Sequence, residues 1–213
     1  LSLRQAGAPK ARARSSAERC VKASTEPVPQ LPPYLAKLCQ MAATKETTRT
    51  TTLQGKEVPL TGPELKVGDK APNFSVVDST LQAVDLSGTG SGMRIFSVVP
   101  SLDTPVCDAQ TKRFEEEAEK LDGVKIYTIS MDLPFAQKRW CGNYGINKVS
   151  MLSDHRSGSF GENYGTLIPD VRIESRAIFV VDGNNTLRHV EYVKAVGDHP
   201  DYEAALKAAK ASS

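Results

Sequence analysis

Of the four cysteines, at positions 20, 39, 107 and 141, Cys107 has the setting best suited to chemistry. In Thr104-Pro105-Val106-Cys107 the threonine reads as a helix N-cap, the proline as the first helical residue and the cysteine as the third. Unpaired backbone N–H groups and the positive end of the helix dipole favour an anion there, and so a thiolate over a thiol. The third helical position often holds a Glu or Gln that reaches back to the cap. Here a sulfur takes that place, within reach of the Thr104 hydroxyl. Full ionisation would raise the reactive fraction of an ordinary thiol, with a pKa of about 8.5, only about tenfold near pH 7.5. A fast thiolate reaction therefore depends mainly on positioning the electrophile and stabilising the charge that leaves it. A buried structural cysteine behind a good helix start fits the same residues equally well.

Cys141 ends a short helical stretch, with Gly142 and Gly145 just beyond it, where local unwinding is inexpensive. It reads equally as a core thiol beside Trp140. The cysteine spacings resemble no zinc site, and the chain has no Cys-x-x-Cys. His155, His189 and His199 show no paired ligand spacing either, so no metal is expected.

The elements that must hold these residues follow from pattern and punctuation. From about Thr47, Gly55-Lys56, Gly62-Pro63 and Gly68-Asp69 break the chain into short strands and turns, a β-rich entry that reads as an N-terminal β-hairpin addition. Met93 to Val99 is an apolar run suited to a strand covered on both faces. A helix follows over Cys107 to Leu121, with Phe114, Ala118 and Leu121 on one face and Gly123 ending it. Val124 to Met131 is a strand, Pro134 to Trp140 a short helix closed by Gly142, Val149 to Leu152 a strand and Ser159 to Tyr164 a short helix. Arg176 to Val181 and Leu187 to Val193 form a hairpin about Asp182-Gly-Asn-Asn185, and Pro200 to Lys210 a closing helix with proline in its first turn. This order implies an α/β fold with a central mixed β-sheet flanked by helices, the thioredoxin-like arrangement.

Pro100-Ser-Leu-Asp-Thr104-Pro-Val-Cys107 resembles the peroxidatic motif of peroxiredoxins, in which Pro, Thr and Cys hold these relative places. Ser130-Met-Asp-Leu-Pro-Phe-Ala-Gln-Lys-Arg-Trp-Cys141 is similar to the resolving-cysteine segment of thiol peroxidases, the atypical two-cysteine subgroup, and the resemblance covers roughly residues 50 to 210. It implies that Cys107 attacks a hydroperoxide, that Thr104 and Pro100 shape its pocket, and that the resulting sulfenic acid condenses with Cys141 to a disulfide. It also implies an arginine from a later strand. Arg176 matches that position and Arg172 competes; without the family, Arg176 reads as a strand-end surface charge. Thioredoxin as reductant, a homodimer, and no need for metal, haem or flavin belong to the same expectation. A redox sensor that uses the disulfide as a switch is the rival reading.

Composition bounds the rest. The 213 residues, 39% apolar and 24% charged, suit one domain, and no apolar stretch approaches the roughly 18 residues of a membrane helix. Residues 1–45 carry eight basic side chains against Glu18 and Glu26, a charge of +6 against +2 for the whole, leaving −4 on the remainder. An acidic remainder argues against a nucleic-acid surface. Residues 1–46 are basic, rich in Ala, Ser and Arg, and broken by Pro27, Pro29, Pro32 and Pro33; they read as a disordered extension with the composition of an organellar transit sequence, ahead of a domain over 47–213. Cys20 and Cys39 fall in that extension. The chain opens on Leu1, so the extension is expected to continue upstream.

Overall fold

The computed structural model describes residues 49–211. The readings of residues 1–46, with Cys20 and Cys39, lie outside them. In chain order the elements are β1 (Thr50–Leu53), β2 (Lys56–Pro59), β3 (Val76–Val77), β4 (Ala83–Val84), β5 (Met93–Val98), α1 (Pro105–Ala118), β6 (Val124–Ser130), α2 (Pro134–Tyr144), β7 (Ser150–Ser153), α3 (Ser159–Tyr164), β8 (Leu167–Ile168), β9 (Ile173–Glu174), β10 (Ala177–Val181), β11 (Leu187–Tyr192) and α4 (Tyr202–Ala211).

The central sheet runs β11-β10-β5-β6-β7-β3-β4. β5, β6 and β7 are parallel neighbours, with Ile95 opposite Ile126, while β10 lies antiparallel to β5 with Phe179 opposite Phe96. Every residue of β5 and β10 is buried, as expected of strands covered on both faces. Side chains alternate between two cores. Phe96, Val98, Ile129 and Phe179 join Phe74, Phe160 and Tyr164 on one side; Ile95, Ile178 and Val180 join Cys107, Phe114, Trp140 and Leu206 on the other. The second core places the start of α1 directly over the sheet.

The fold is the one the element order predicts, with four local differences. α1 stops at Ala118 because residues 119–121 tighten into turns, with Lys120 N–H donating to Glu117 O at 2.9 Å. α2 runs through Cys141 and Gly142 to Tyr144 and ends at Gly145, whose φ of 69° is the left-handed stop. Pro200 lies ahead of α4, and Asp201 caps that helix, its Oδ1 accepting the Ala204 N–H at 2.9 Å. Finally, β8 and β9 pair in a small ribbon that the pattern does not reveal. The expected N-terminal hairpin is present as β1–β2, turning at Gln54 and Gly55 with φ of 51° and 77°. It docks onto the segment after β11, with Thr52 N–H donating to Lys194 O at 3.1 Å and Val196 N–H to Thr52 O at 2.9 Å. Among the described residues no helix is long and apolar enough to cross a membrane.

Candidate active site

α1 begins as its sequence dictates. Thr104 is its N-cap in an extended conformation, Pro105 follows, and Cys107 sits fully buried in the first turn. The Thr104 hydroxyl caps no backbone N–H. It lies 2.7 Å from Cys107 Sγ and 3.1 Å from Ser101 O. Its single proton serves one neighbour at a time: a thiol can donate to Oγ1 while the hydroxyl donates to Ser101 O, whereas a thiolate receives the hydroxyl proton itself.

Arg176, just ahead of β10, reaches the same sulfur. Its Nη2 donates to Sγ at 3.2 Å and to Val196 O at 2.8 Å, Nε donates to Val196 O at 3.0 Å, and Nη1 to Gln110 Oε1 at 2.6 Å. Gln110 Nε2 in turn donates to Ser97 Oγ on β5 at 2.7 Å. Two donors therefore converge on one sulfur, and the guanidinium is fixed by a carbonyl and an amide rather than by a carboxylate. Pro100, Thr104 and Arg176 line one pocket of about 410 Å³, closed by Leu53 of the β1–β2 hairpin and by Val106, Ile173 and Val196. Its walls are largely apolar, with Thr104 and Arg176 among the polar residues that line it.

The structure thus brings Pro100, Thr104, Cys107 and Arg176 together. Arg172 stands apart: it is exposed in the β8–β9 turn, with φ of 50°. Cys141 belongs to α2, half-buried against the same apolar core as Cys107, and both thiols are free. The Cys141 carbonyl accepts the N–H groups of Gly145 and, at 3.1 Å, Ile146, so its own helix end is well capped. Burial pushes the Cys141 thiol pKa up, and the nearby Glu115 carboxylate pushes it the same way. Among the described residues no cluster of His, Cys, Asp or Glu could hold a metal ion.

Sequence reasoning missed Gln110, Val196 and Asp132. Gln110 stands three residues after Cys107, on the same helical face, and that spacing was a usable signal. Asp132 pins the loop ahead of Thr104, accepting from Ser101 Oγ and from Leu102 N–H, both at 2.8 Å. No local pattern marks it.

A donor-lined cysteine at a helix start on a thioredoxin-like sheet defines a redox protein of the thiol class. The family model described as Redoxin matches residues 66–206. The thiol peroxidase of Halalkalibacterium halodurans is 52% identical over 161 residues, 76% of this chain and 97% of that protein. That of Bacillus subtilis is 52% identical over 160 residues, 75% of this chain and 96% of that one. Among solved structures, the peroxiredoxin-like protein from Aquifex aeolicus superposes with a TM-score of 0.73 at 40% identity, covering 78% of this chain and 98% of its own. The thiol peroxidase from Chromobacterium violaceum, at 22% identity and a TM-score of 0.69, shares the fold. The chain belongs to the redoxin family and, within it, to the thiol peroxidases, enzymes that reduce peroxides with a cysteine thiol.

Proposed function

We propose that Cys107 is the attacking thiol, Cys141 its disulfide partner, and thioredoxin the reductant. The observation that carries the assignment is the convergence of Thr104 and Arg176, both of which line the pocket of about 410 Å³, on the buried Cys107 Sγ. The thiolate sulfur attacks the terminal oxygen of a hydroperoxide and the O–O bond breaks. The other oxygen leaves as alkoxide or hydroxide and takes a proton, giving alcohol or water. Thr104 and Arg176 are aimed where that oxygen charge develops. The Cys107 sulfenic acid then condenses with the Cys141 thiol, releasing water, and a thioredoxin dithiol reduces the disulfide. Hydrogen peroxide and organic hydroperoxides both fit this chemistry, and a homodimer is the assembly expected.

A peroxide-sensing switch is the second reading, since buried, capped cysteines could also serve signalling. The pocket and its arginine favour turnover, which a switch does not need. Organellar targeting rests on the composition of residues 1–46 alone, and the relatives named above are bacterial proteins. The test is steady NADPH consumption with thioredoxin, thioredoxin reductase and cumene hydroperoxide. We expect sustained turnover, abolished by Cys107→Ser because a serine hydroxyl stays a neutral, feeble nucleophile near pH 7. A single stoichiometric oxidation without turnover would establish the switch instead.

A further inference from the structure

Disulfide formation requires Cα atoms about 4.4 to 6.8 Å apart and the two sulfurs in contact. Cys107 lies in the first turn of α1, bonded to Thr104 and Arg176; Cys141 lies in the last turns of α2, its carbonyl held by Gly145 and Ile146. Bringing the two sulfurs together works against these bonds and favours loosening of both helix ends. One side chain touches both ends. Lys112 Nζ donates to Asp108 Oδ2 at 2.9 Å, and Asp108 is the residue after Cys107. The same ammonium lies 3.5 Å from the centroid of the Tyr144 ring, at the end of α2, three residues beyond Cys141. The Tyr144 ring in turn rests on Trp140, with centroids 5.1 Å apart. Asp108, Trp140 and Tyr144 wall a crevice of about 260 Å³ between the two helix ends, with Leu102 and Thr104 on its rim.

We propose that Lys112 is a positioning residue for disulfide formation: by bridging Asp108 on the Cys107 helix to Tyr144 on the Cys141 helix, its ammonium holds both ends wound and sets how often the sulfurs meet. The inference rests on the Cys107–Cys141 pairing proposed above. Unwinding the first turn of α1 carries Asp108 away from the ammonium, and unwinding the last turn of α2 carries the Tyr144 ring away, so each opening works against the same cation. While the latch is closed, the sulfenic acid at Cys107 stays exposed to a competing reaction. In it, Cys107–SOH and a second ROOH give Cys107–SO₂H and ROH, whereas Cys107–SOH and Cys141–SH give the disulfide and water. Lys112 thereby divides the enzyme between cycling and overoxidation.

The test quenches the full chain at intervals after one equivalent of cumene hydroperoxide and measures disulfide and sulfenic acid by mass spectrometry, with sulfinic acid measured after excess peroxide. Lys112→Met keeps the hydrocarbon stem and removes the charge. Disulfide formation should quicken roughly two- to fivefold, the range for an exposed cation–π contact, and the sulfinic fraction should fall. The first oxidation of Cys107 should be unchanged. Tyr144→Leu should act in the same direction, and Lys112→Arg should restore wild-type values, which a role in general stability would not require. Disulfide formation at or below the wild-type rate in the Met and Leu variants overturns the latch. A wild-type chain that forms no Cys107–Cys141 disulfide overturns the pairing, and the latch with it.

Discussion

Arg176 is nearly fully buried, yet its hydrogen-bond partners are Val196 O, Gln110 Oε1 and Cys107 Sγ, none of them a carboxylate. A buried cation without a charged partner is costly, and the cost falls when an anion arrives. On the proposed mechanism the arriving anion is a thiolate sulfur or the oxygen leaving a peroxide, which would make the guanidinium a group prepared for the transition state rather than for the resting fold. The expected outcome is that Arg176→Ala slows oxidation of Cys107 by about 100- to 1000-fold, as loss of one such donor does elsewhere. Arg172→Ala, at an exposed turn, should change it little. Stopped-flow measurement of the second-order rate with cumene hydroperoxide checks both, and the reverse order would show the wrong arginine to have been chosen. The sequence showed the local half of this site. Thr104-Pro105 and the cysteine two residues later are neighbours, so a helix start could be read directly. The Gln110–Arg176 bond joins residues 66 positions apart, and what brings them together is the pairing of β10 with β5, which no local pattern records.

At the scale of elements, the two helix ends govern what can move. Gly142 and Gly145 look alike in sequence, and the first was expected to close α2; the chain instead stays helical through Gly142 and stops at Gly145. A glycine inside a helix costs only about 1 kcal/mol, so its presence does not end one. What ends α2 is the left-handed φ at Gly145, together with the two N–H groups returned to the Cys141 carbonyl. The β8–β9 ribbon escaped for another reason: strands of two residues are too short to show a period of two. Because Cys141 lies within a wound helix and outside the Thr104–Cys107–Arg176 contacts, the proposed peroxide attack and the proposed disulfide formation should be separable steps. Cys141→Ser should leave the first oxidation of Cys107 as fast as in the wild type and lengthen the life of the sulfenic acid, trapped as its dimedone adduct and counted by mass spectrometry. Thioredoxin-driven turnover should drop sharply. A Cys141→Ser chain that keeps full turnover would move the resolving role to another thiol.

At the scale of the whole molecule, the sheet separates two cores, and behind the aromatic one lies a charge arrangement that ties α3 to the β8–β9 ribbon. Asp154, after β7, and Glu174, on β9, are both fully buried. Asp154 Oδ2 accepts the Gly161 N–H at 2.9 Å, and Glu174 Oε2 accepts the Thr166 hydroxyl at 2.6 Å. Burial raises the Asp154 pKa to about 6, with the Glu162 charge adding to it. Burial, and then the Asp154 charge, raises the Glu174 pKa well above the ordinary carboxylate range. The sign follows from proton counting. In the unfolded chain both carboxyls lose their protons near pH 4, while in the folded chain they hold them to higher pH; between those limits the native state binds more protons, and stability falls as pH rises. The stabilisation is complete below about pH 4 and is lost as pH climbs through 6 and beyond. Glu174→Gln removes one titrating group while an amide can still accept from Thr166 and donate to Asp154. Thermal unfolding of the two proteins from pH 5 to 8 should therefore show the melting temperature of the wild type falling relative to that of the Gln variant, with the gap widening as pH rises. Parallel profiles would mean that the pair does not titrate in this range in the folded protein.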